Sequence, residues 1–397
     1  MRIAIAVHGR FEAFDLAREL IRRGNDVKVC TNYPRWAVAR FGVPRECVRS
    51  LWPHGVLTRV LGRFGGPSSL RRFESHLHTL FGRWASAALR EQEWDVIYAF
   101  SGIAEEILQS RQLSADLRLL ARASAHIRTQ DRLLHEEELR TGKLQDRPST
   151  WMIGREQREY AAADAIRVLS SFAYDTFIAE GVPAEKVKLV LSGVQTQAFR
   201  SSPQQLERRC ARLMTGAPLR VLNVGTFAFR KGVWDTAAVV RELSTERFEY
   251  RFVGPVASEA AGLAAELRAA VTFVPKQRQA RLPGTYAWGD VFMLPTIEDG
   301  FPAVLAQAAA AGLPILTTPN GAGRDLVSDG ENGWVLPIRS PGRFVERLRW
   351  ADAHRPELAQ MVRTSQERFR VRDSAEVASD FERLCAAYVG KTAVATR

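Results

Sequence analysis

Only four cysteines occur in the 397 residues, Cys30, Cys47, Cys210 and Cys385, and they stand far apart. No Cys-x-x-Cys pair and no His-Cys spacing offers a zinc ligand set or a disulfide framework, so a reducing compartment is expected. Long apolar runs are equally scarce. The longest, Phe301–Leu316, is broken by Gln307, Gly312 and Pro314 and is too short to span a bilayer. The opening MRIAIAVHGRF runs straight into a strand-like stretch without the basic start, long apolar centre and cleavage site of a secretory leader. The expectation is a cytoplasmic chain whose contact with a membrane, if any, is peripheral on the inner face. No G-x-G-x-x-G follows the first strand, which counts against a dinucleotide-dependent dehydrogenase. Zinc fingers, an aromatic RNA platform and a helix-turn-helix signature are missing too, so nucleic acid is not an expected partner.

What is present is ordinary for a globular chain, with 46% hydrophobic and 25% charged residues. This length suits two domains of roughly 150 to 200 residues each. The formal net charge of +12 is carried almost wholly by Arg and favours anionic partners, although a solvated basic surface explains the same excess. Between Leu51 and Arg90 six Arg and one Glu are interleaved with Leu57, Val60, Leu61, Phe64, Phe73, Leu77, Leu80, Phe81 and Trp84. That mixture fits either an anionic-membrane-surface stretch or a helical core hairpin.

Short β-branched runs alternate with helical-period stretches, the pattern of α/β folds with parallel sheets and crossover helices. The series runs twice. The first comprises strands at Arg2–Val7, Asp26–Cys30, Asp95–Phe100, Arg118–Ala123, Ala165–Ser170 and Val187–Leu191, with helices over Ala13–Arg23, Ile153–Ala163 and Phe172–Glu180. The second comprises Leu219–Val224, Phe248–Val253, Val271–Val274, Val291–Leu294, Leu313–Leu316 and Gly333–Leu336. The polar stretch before it lacks strand character. The expected division is a first doubly wound, Rossmann-like domain over 1–200, a linker over 201–218, a second over 219–375, and a closing helix over 376–397 able to pack back on the first. Two such domains facing a central cleft would hold a ligand beyond the carboxyl ends of their strands.

Three loops carry chemistry. Gly9, in the turn after the first strand, sits where free backbone N–H groups can meet an anion or a sugar, or simply makes a tight turn. Arg230 and Lys231 lie between the first strand and first helix of the second domain. Two cations there can neutralise the charge that gathers as a nucleoside diphosphate departs. In the stretch Pro295–Pro314, carboxylates follow a strand and Gly300-Phe301-Pro302 leads into a small-residue helix. Asp299 and Gln307, eight residues apart, then fall on broadly one side of the helix entrance, where they can grip a sugar and a ribose together. The acidic runs Glu136–Glu138 and Glu298-Asp299 lack the companion ligands of a magnesium site, so no metal site is expected.

These motifs give the second domain a resemblance to glycosyltransferase family 4, carried by Gly300-Phe301, Gly312-Leu313-Pro314 and Asn320-Gly-Ala-Gly-Arg-Asp325 before Gly330 and Gly333. In the first domain Arg122–Gln130, Glu156, Tyr160, Ala163-Asp164, Ser170-Ser171-Phe172 and Gly193-Val194 resemble a branch engaged in cell-surface polysaccharide assembly. Asp299 stands where the family's first Glu is usual, unless Glu298 serves, and Gln307 stands for the second. The resemblance implies the GT-B architecture and metal-independent transfer of a sugar, with retention, from a nucleotide sugar to a carbohydrate or lipid-linked acceptor. The nucleotide sugar is a co-substrate and no further cofactor is implied. His126 and Asp299 are implied at the reacting centre. Gly9, Arg230, Lys231, Lys276, Glu298, Gly300, Phe301, Pro302, Ala303 and Gln307 are implied around the donor. A binding protein that keeps the cleft but has lost turnover is the competing expectation.

Overall fold

Two all-parallel sheets organise the chain, as seen in a computed structural model that describes residues 1–64, 66–368 and 372–389. The first contains β1 (Arg2–Val7), β2 (Asp26–Thr31), β3 (Val48–Ser50), β4 (Trp94–Phe100), β5 (Ala115–Arg122), β6 (Ala165–Val168) and β7 (Val187–Leu189). The second contains β8 (Leu219–Val224), β9 (Phe248–Val253), β10 (Val271–Val274), β11 (Val291–Leu294), β12 (Ile315–Thr317) and β13 (Gly333–Val335). Their orders are β3-β2-β1-β4-β5-β6-β7 and β10-β9-β8-β11-β12-β13. Each order reverses beside its first strand, between β1 and β4 and between β8 and β11, and this opens a crevice at the carboxyl ends. The central strands are buried nearly throughout because helices cover both sheet faces, which is why β1 and β11 read as unbroken apolar runs rather than alternating ones.

The structure adds elements that periodicity hides. β3 has three residues at a sheet edge, too few to show a period. Residues 201–218, expected as a linker, contain a helix, Pro203–Met214. Ser202 and Gln205 form its capping box, and Cys210 and Leu213 enter the second-domain core. Buried Arg209 fastens it by donating to the carbonyls of Ala311 at 2.6 Å and Tyr286 at 3.1 Å. The helix Ser374–Ala386 lies on the first domain, where Phe381 meets Tyr98 at 5.0 Å and Glu382 accepts from Arg23 and Asn25 at 2.5 and 2.6 Å. Positions 390–397 of the expected closing helix are outside the described residues.

Residues 52–64 and 66–88 form two packed helices, Trp52–Phe64 and Gly66–Ala88. The inner face sends Leu77, Phe81 and Ala85 into the core, whereas Trp52, Val56, Leu57, Val60, Phe73 and Leu80 are exposed. The side chains of 63–70, Phe64 included, are outside the described residues. Among those described, no helix is long and apolar enough to cross a membrane.

The domains meet over a broad contact. Ile297 and Ile338 of the second pack with Ala125, Leu133 and Phe172 of the first. The Glu136–Glu138 run is held by arginines: Arg339 reaches Glu136 at 2.7 Å from the second domain, Arg140 reaches Glu137 at 2.7 Å and Arg147 reaches Glu138 at 2.9 Å.

Candidate active site

The crevices of the two sheets face one another across a cavity of about 680 Å³. Its first-domain wall comes from the carboxyl ends of β1, β4 and β5, with His8, Phe11, Phe100 and Arg122 among the lining residues. Its second-domain wall comes from the loops after β8 and β11, with Arg230, Asp299, Phe301, Ala303 and Gln307.

The second-domain wall is set by two loops in close register. Gly232 has φ +74°, and a Cβ there would come within 1.7 Å of the Pro295 carbonyl oxygen, so only glycine lets the loop after β8 lie against the loop after β11. The Arg230 carbonyl then accepts from the Ile297 N–H at 2.9 Å. This places Lys231 against Asp299 in an ion pair, and Arg230 against Glu298 at 3.1 Å. Burial pushes the Asp299 carboxyl upward, but Lys231 and Arg230 more than offset it, and the group is held below its ordinary value as a carboxylate. Gln307 accepts at Oε1 from the Tyr286 hydroxyl at 2.8 Å, which leaves its amide NH₂ as the donor for a ligand.

Glu298 has a different task from its neighbour. It is fully buried and bonds across the domain boundary to the Ser124 hydroxyl, the Ala125 N–H at 3.2 Å and the Gln130 amide at 3.2 Å. Gln130 in turn accepts from Arg122 at 2.7 Å, and Arg122 pairs with buried Glu156 at 3.2 Å. A polar chain therefore runs from the first-domain interior to Arg230. Gly300 makes the approach sterically feasible, since a Cβ there would lie 1.8 Å from the Ala123 carbonyl oxygen.

The first-domain wall combines imidazole and aromatic rings with Arg10, Glu12, Asp15 and Arg122. His8 lies 5.2 Å from His54 and 5.5 Å from His78, ring to ring. Burial, then the neighbouring His78 and His54, lower His8 to about 3, and burial likewise lowers His54 and His78, so the three rings are neutral at physiological pH, with His8 and His78 lining the cleft. Glu159 braces the turn after β4 by accepting from the N–H groups of Gly102, Ala104 and Glu105 at 2.7, 2.8 and 3.1 Å. Among the described residues, no group of three or more His, Cys, Asp or Glu is placed to hold a metal ion.

The structure brings Arg230, Lys231, Asp299, Phe301, Ala303 and Gln307 together at the cleft, with Lys231 reaching it through Asp299. Other expected site residues are elsewhere. His126 is outside the cavity lining: it is 4% exposed, caps the helix Ile127–Thr141 by accepting from the Arg128 N–H, and packs on Tyr160 and Phe177 at 4.9 Å each. A residue entering a helix turns its ring back toward the preceding core, which the motif alone could not show. Glu298 and Gly300 hold the domain contact rather than the ligand space. The Gly9 N–H is engaged by Asn32 Oδ1 at 2.9 Å. Lys276 is exposed outside the cavity lining, and buried Pro302 serves as the N-cap of the helix Ala303–Ala310. The residues not anticipated are His8, Phe11, His78 and Phe100. The only local signal was His-Gly-Arg-Phe directly after β1.

Two family models match: one described as glycosyl transferase 4-like domain over residues 12–193, and one as glycosyl transferases group 1 over 218–351. Together they take in most of the chain, one per domain. Among curated proteins, the amylovoran biosynthesis glycosyltransferase AmsK of Erwinia amylovora is 27% identical over 192 residues, 45% of each chain, so the chain matches about half the length of such relatives. Among solved structures, sucrose-phosphate synthase of Thermosynechococcus elongatus superposes with a TM-score of 0.71 at 18% identity, covering 97% of this chain and 98% of that one. HepE of Anabaena in complex with UDP superposes with a TM-score of 0.68 at 14% identity, covering 98% and 100%. These likenesses fix the fold, and with both family models on its two domains, the chain belongs to glycosyltransferase family 4, the group 1 glycosyl transferases of GT-B architecture.

Proposed function

We propose that the protein transfers a glycosyl group, with retention and without a metal, from a nucleotide sugar to a hydroxyl of a carbohydrate or lipid-linked carbohydrate acceptor in cell-surface polysaccharide assembly. The observation that carries this reading is the pairing of Arg230 and Lys231 with acidic partners at the second-domain edge of a cleft open to the first domain. A donor diphosphate entering there takes up N–H donors from both cations, and Asp299, released from Lys231, accepts from the sugar hydroxyls. The Gln307 amide donates to the ribose. In the transfer the bond from the anomeric carbon to the diphosphate oxygen breaks, and the acceptor oxygen bonds to the same face. The acceptor proton passes to the departing phosphate oxygen, so no protein nucleophile is needed. The UDP held by the HepE neighbour and the biosynthetic role in the AmsK name point the same way.

The test is release of free nucleoside diphosphate from a panel of UDP-, GDP- and dTDP-hexoses. Release by the wild-type protein is expected. Tight binding of the panel with no release under any acceptor would mark a binding protein instead.

The outer face of the helices at 52–88 supports a second element of the reading, contact with an anionic membrane surface. Exposed Trp52, Val56, Leu57, Val60, Phe73 and Leu80 share these helices with exposed Arg59, Arg72 and Arg83. Flotation with phosphatidylglycerol vesicles at physiological salt should carry the protein upward, and Val56→Asp with Leu57→Asp should abolish this. Wild-type protein that stays at the bottom of the gradient would reduce the face to a solvated hairpin.

A further inference from the structure

Gln307 lines the cavity from the helix Ala303–Ala310, and what it offers a ligand there is decided from behind. An amide has an oxygen that only accepts and a nitrogen that only donates, on two ends of nearly the same shape. Whichever end is engaged in the protein interior, the other is presented to the cavity. The interior partner is Tyr286, whose hydroxyl lies 2.8 Å from Gln307 Oε1.

Packing and hydrogen bonds fix Tyr286 in turn. It is fully buried on the helix Leu282–Trp288 and is not among the residues lining the cavity. Its ring meets Phe199 edge-on at 5.4 Å and stacks on Phe292 at 5.9 Å. Arg209 donates to its carbonyl at 3.1 Å and at 2.6 Å to that of Ala311, the C-cap of the helix that carries Gln307. One buried guanidinium therefore sets the spacing of the two helices. Burial also raises the Tyr286 phenol above its ordinary value, so the hydroxyl keeps the proton it donates.

Two proton arrangements can be drawn for this pair, and only one satisfies both groups. With the amide turned, its nitrogen would donate to the phenol oxygen, and the phenol proton would need the Val304 carbonyl. That oxygen is 3.4 Å away and already accepts from the Ala308 N–H within the helix. With Oε1 toward Tyr286, the phenol donates at 2.8 Å, and Gln307 Nε2 has no partner among the described residues.

We propose that Tyr286 is a positioning residue that sets specificity: it turns Gln307 so that the site offers an N–H to the nucleotide's ribose and reads an oxygen lone pair there. A carboxylate at the same place would read a hydroxyl proton instead. The proposal rests on the nucleotide-sugar reading for the ribose. Its consequence is a polarity of selection. A ribose substituent that has lone pairs and no proton is tolerated by an N–H donor and repelled by a carboxylate, whereas hydrogen in its place is indifferent to both. Tyr286 acts only through Gln307, and without its hydroxyl the amide is free to turn either end to the cavity.

The experiment is calorimetry of UDP, GDP and their 2′- and 3′-deoxy and deoxyfluoro analogues on the wild type, Tyr286→Phe and Gln307→Glu. The quantity read is the ratio of fluoro to deoxy affinity at one ribose position, compared between proteins, which cancels the effect of fluorine on the sugar itself. Phe keeps the ring and its packing, and any general loosening of the site weakens both analogues alike and leaves the ratio unmoved. At one of the two positions the ratio should fall about threefold from the wild type to Tyr286→Phe, and about tenfold from the wild type to Gln307→Glu. Equal ratios on all three proteins overturn the proposal. A ratio that falls in Gln307→Glu but not in Tyr286→Phe overturns it as well, because Gln307 is then oriented without Tyr286. Either outcome, on a wild type that binds UDP or GDP, sinks the positioning role and leaves the nucleotide-sugar reading in place. A wild type that binds neither nucleotide overturns both.

Discussion

The two walls of the cleft are chemically unlike. On the second-domain wall, Arg230 and Lys231 stand beside Glu298 and Asp299, four charges at the mouths of the loops after β8 and β11. On the first-domain wall, the groups facing the cavity include imidazoles held neutral by burial and an aromatic pair, while Arg10 and Arg122 are tied to carboxylates. The difference therefore teaches that imidazole and aromatic rings gather on the first-domain wall, while the ion pairs of the second-domain wall join its two loops.

Substitutions can break this contrast from the charged side. Lys231→Ala should lower nucleotide release by about 10²–10³-fold, or roughly 3–4 kcal/mol of transition-state stabilisation. Unchanged release would mean that the diphosphate does not sit there. Glu298→Gln keeps the shape but removes the charge from a buried site that serves Ser124, Ala125, Gln130 and Arg230, and should cost about 2 kcal/mol in thermal unfolding. An unshifted transition would show that the polar chain across the boundary is dispensable. Gly300→Ala pits a Cβ against the Ala123 carbonyl oxygen at 1.8 Å, and separation of the loops should cost about 1–2 kcal/mol. Small-angle scattering should show a larger radius of gyration than the wild type, and an identical curve would show that the loops yield locally instead.

The sequence was most legible where the physics is local. β1 and β8 to β11 fall where β-branched runs end at turn residues, and Asp299 and Gln307 share the cleft because eight residues of loop and helix dictate it. Legibility stopped where a partner lies far along the chain. Nothing near Glu298 announces Ser124, 174 residues away, and so its burial at the domain boundary was not legible. The helix Pro203–Met214 passed for a linker because its buried Arg209 looks like one more solvated arginine until the Ala311 carbonyl is placed beside it. Histidines show the same limit twice. His126 stood in a recognisable motif yet turns into the core, whereas His8, His54 and His78, spread over 70 residues, meet only through the folding of β1 against two later helices.

His126 supplies the mildest test of the contrast, because it asks whether a neutral histidine in the first domain serves stability or ligand. Burial, with Arg122 and Arg128 and against the pull of Glu180, lowers it to about 4 from its ordinary 6.5. The unfolded chain takes up a proton below 6.5 and the folded chain only below about 4, so its contribution is complete above 6.5 and is lost as pH falls toward 4. The slope in that window is about 1.4 kcal/mol per pH unit. His126→Asn keeps an oxygen to cap the helix and removes the titration. Denaturant unfolding of the two proteins should therefore diverge most at pH 7 and converge as pH falls from 6.5 to 4, with nucleotide release at pH 7.5 unaltered. A variant that unfolds with the wild-type pH profile but loses release would return His126 to the reacting centre.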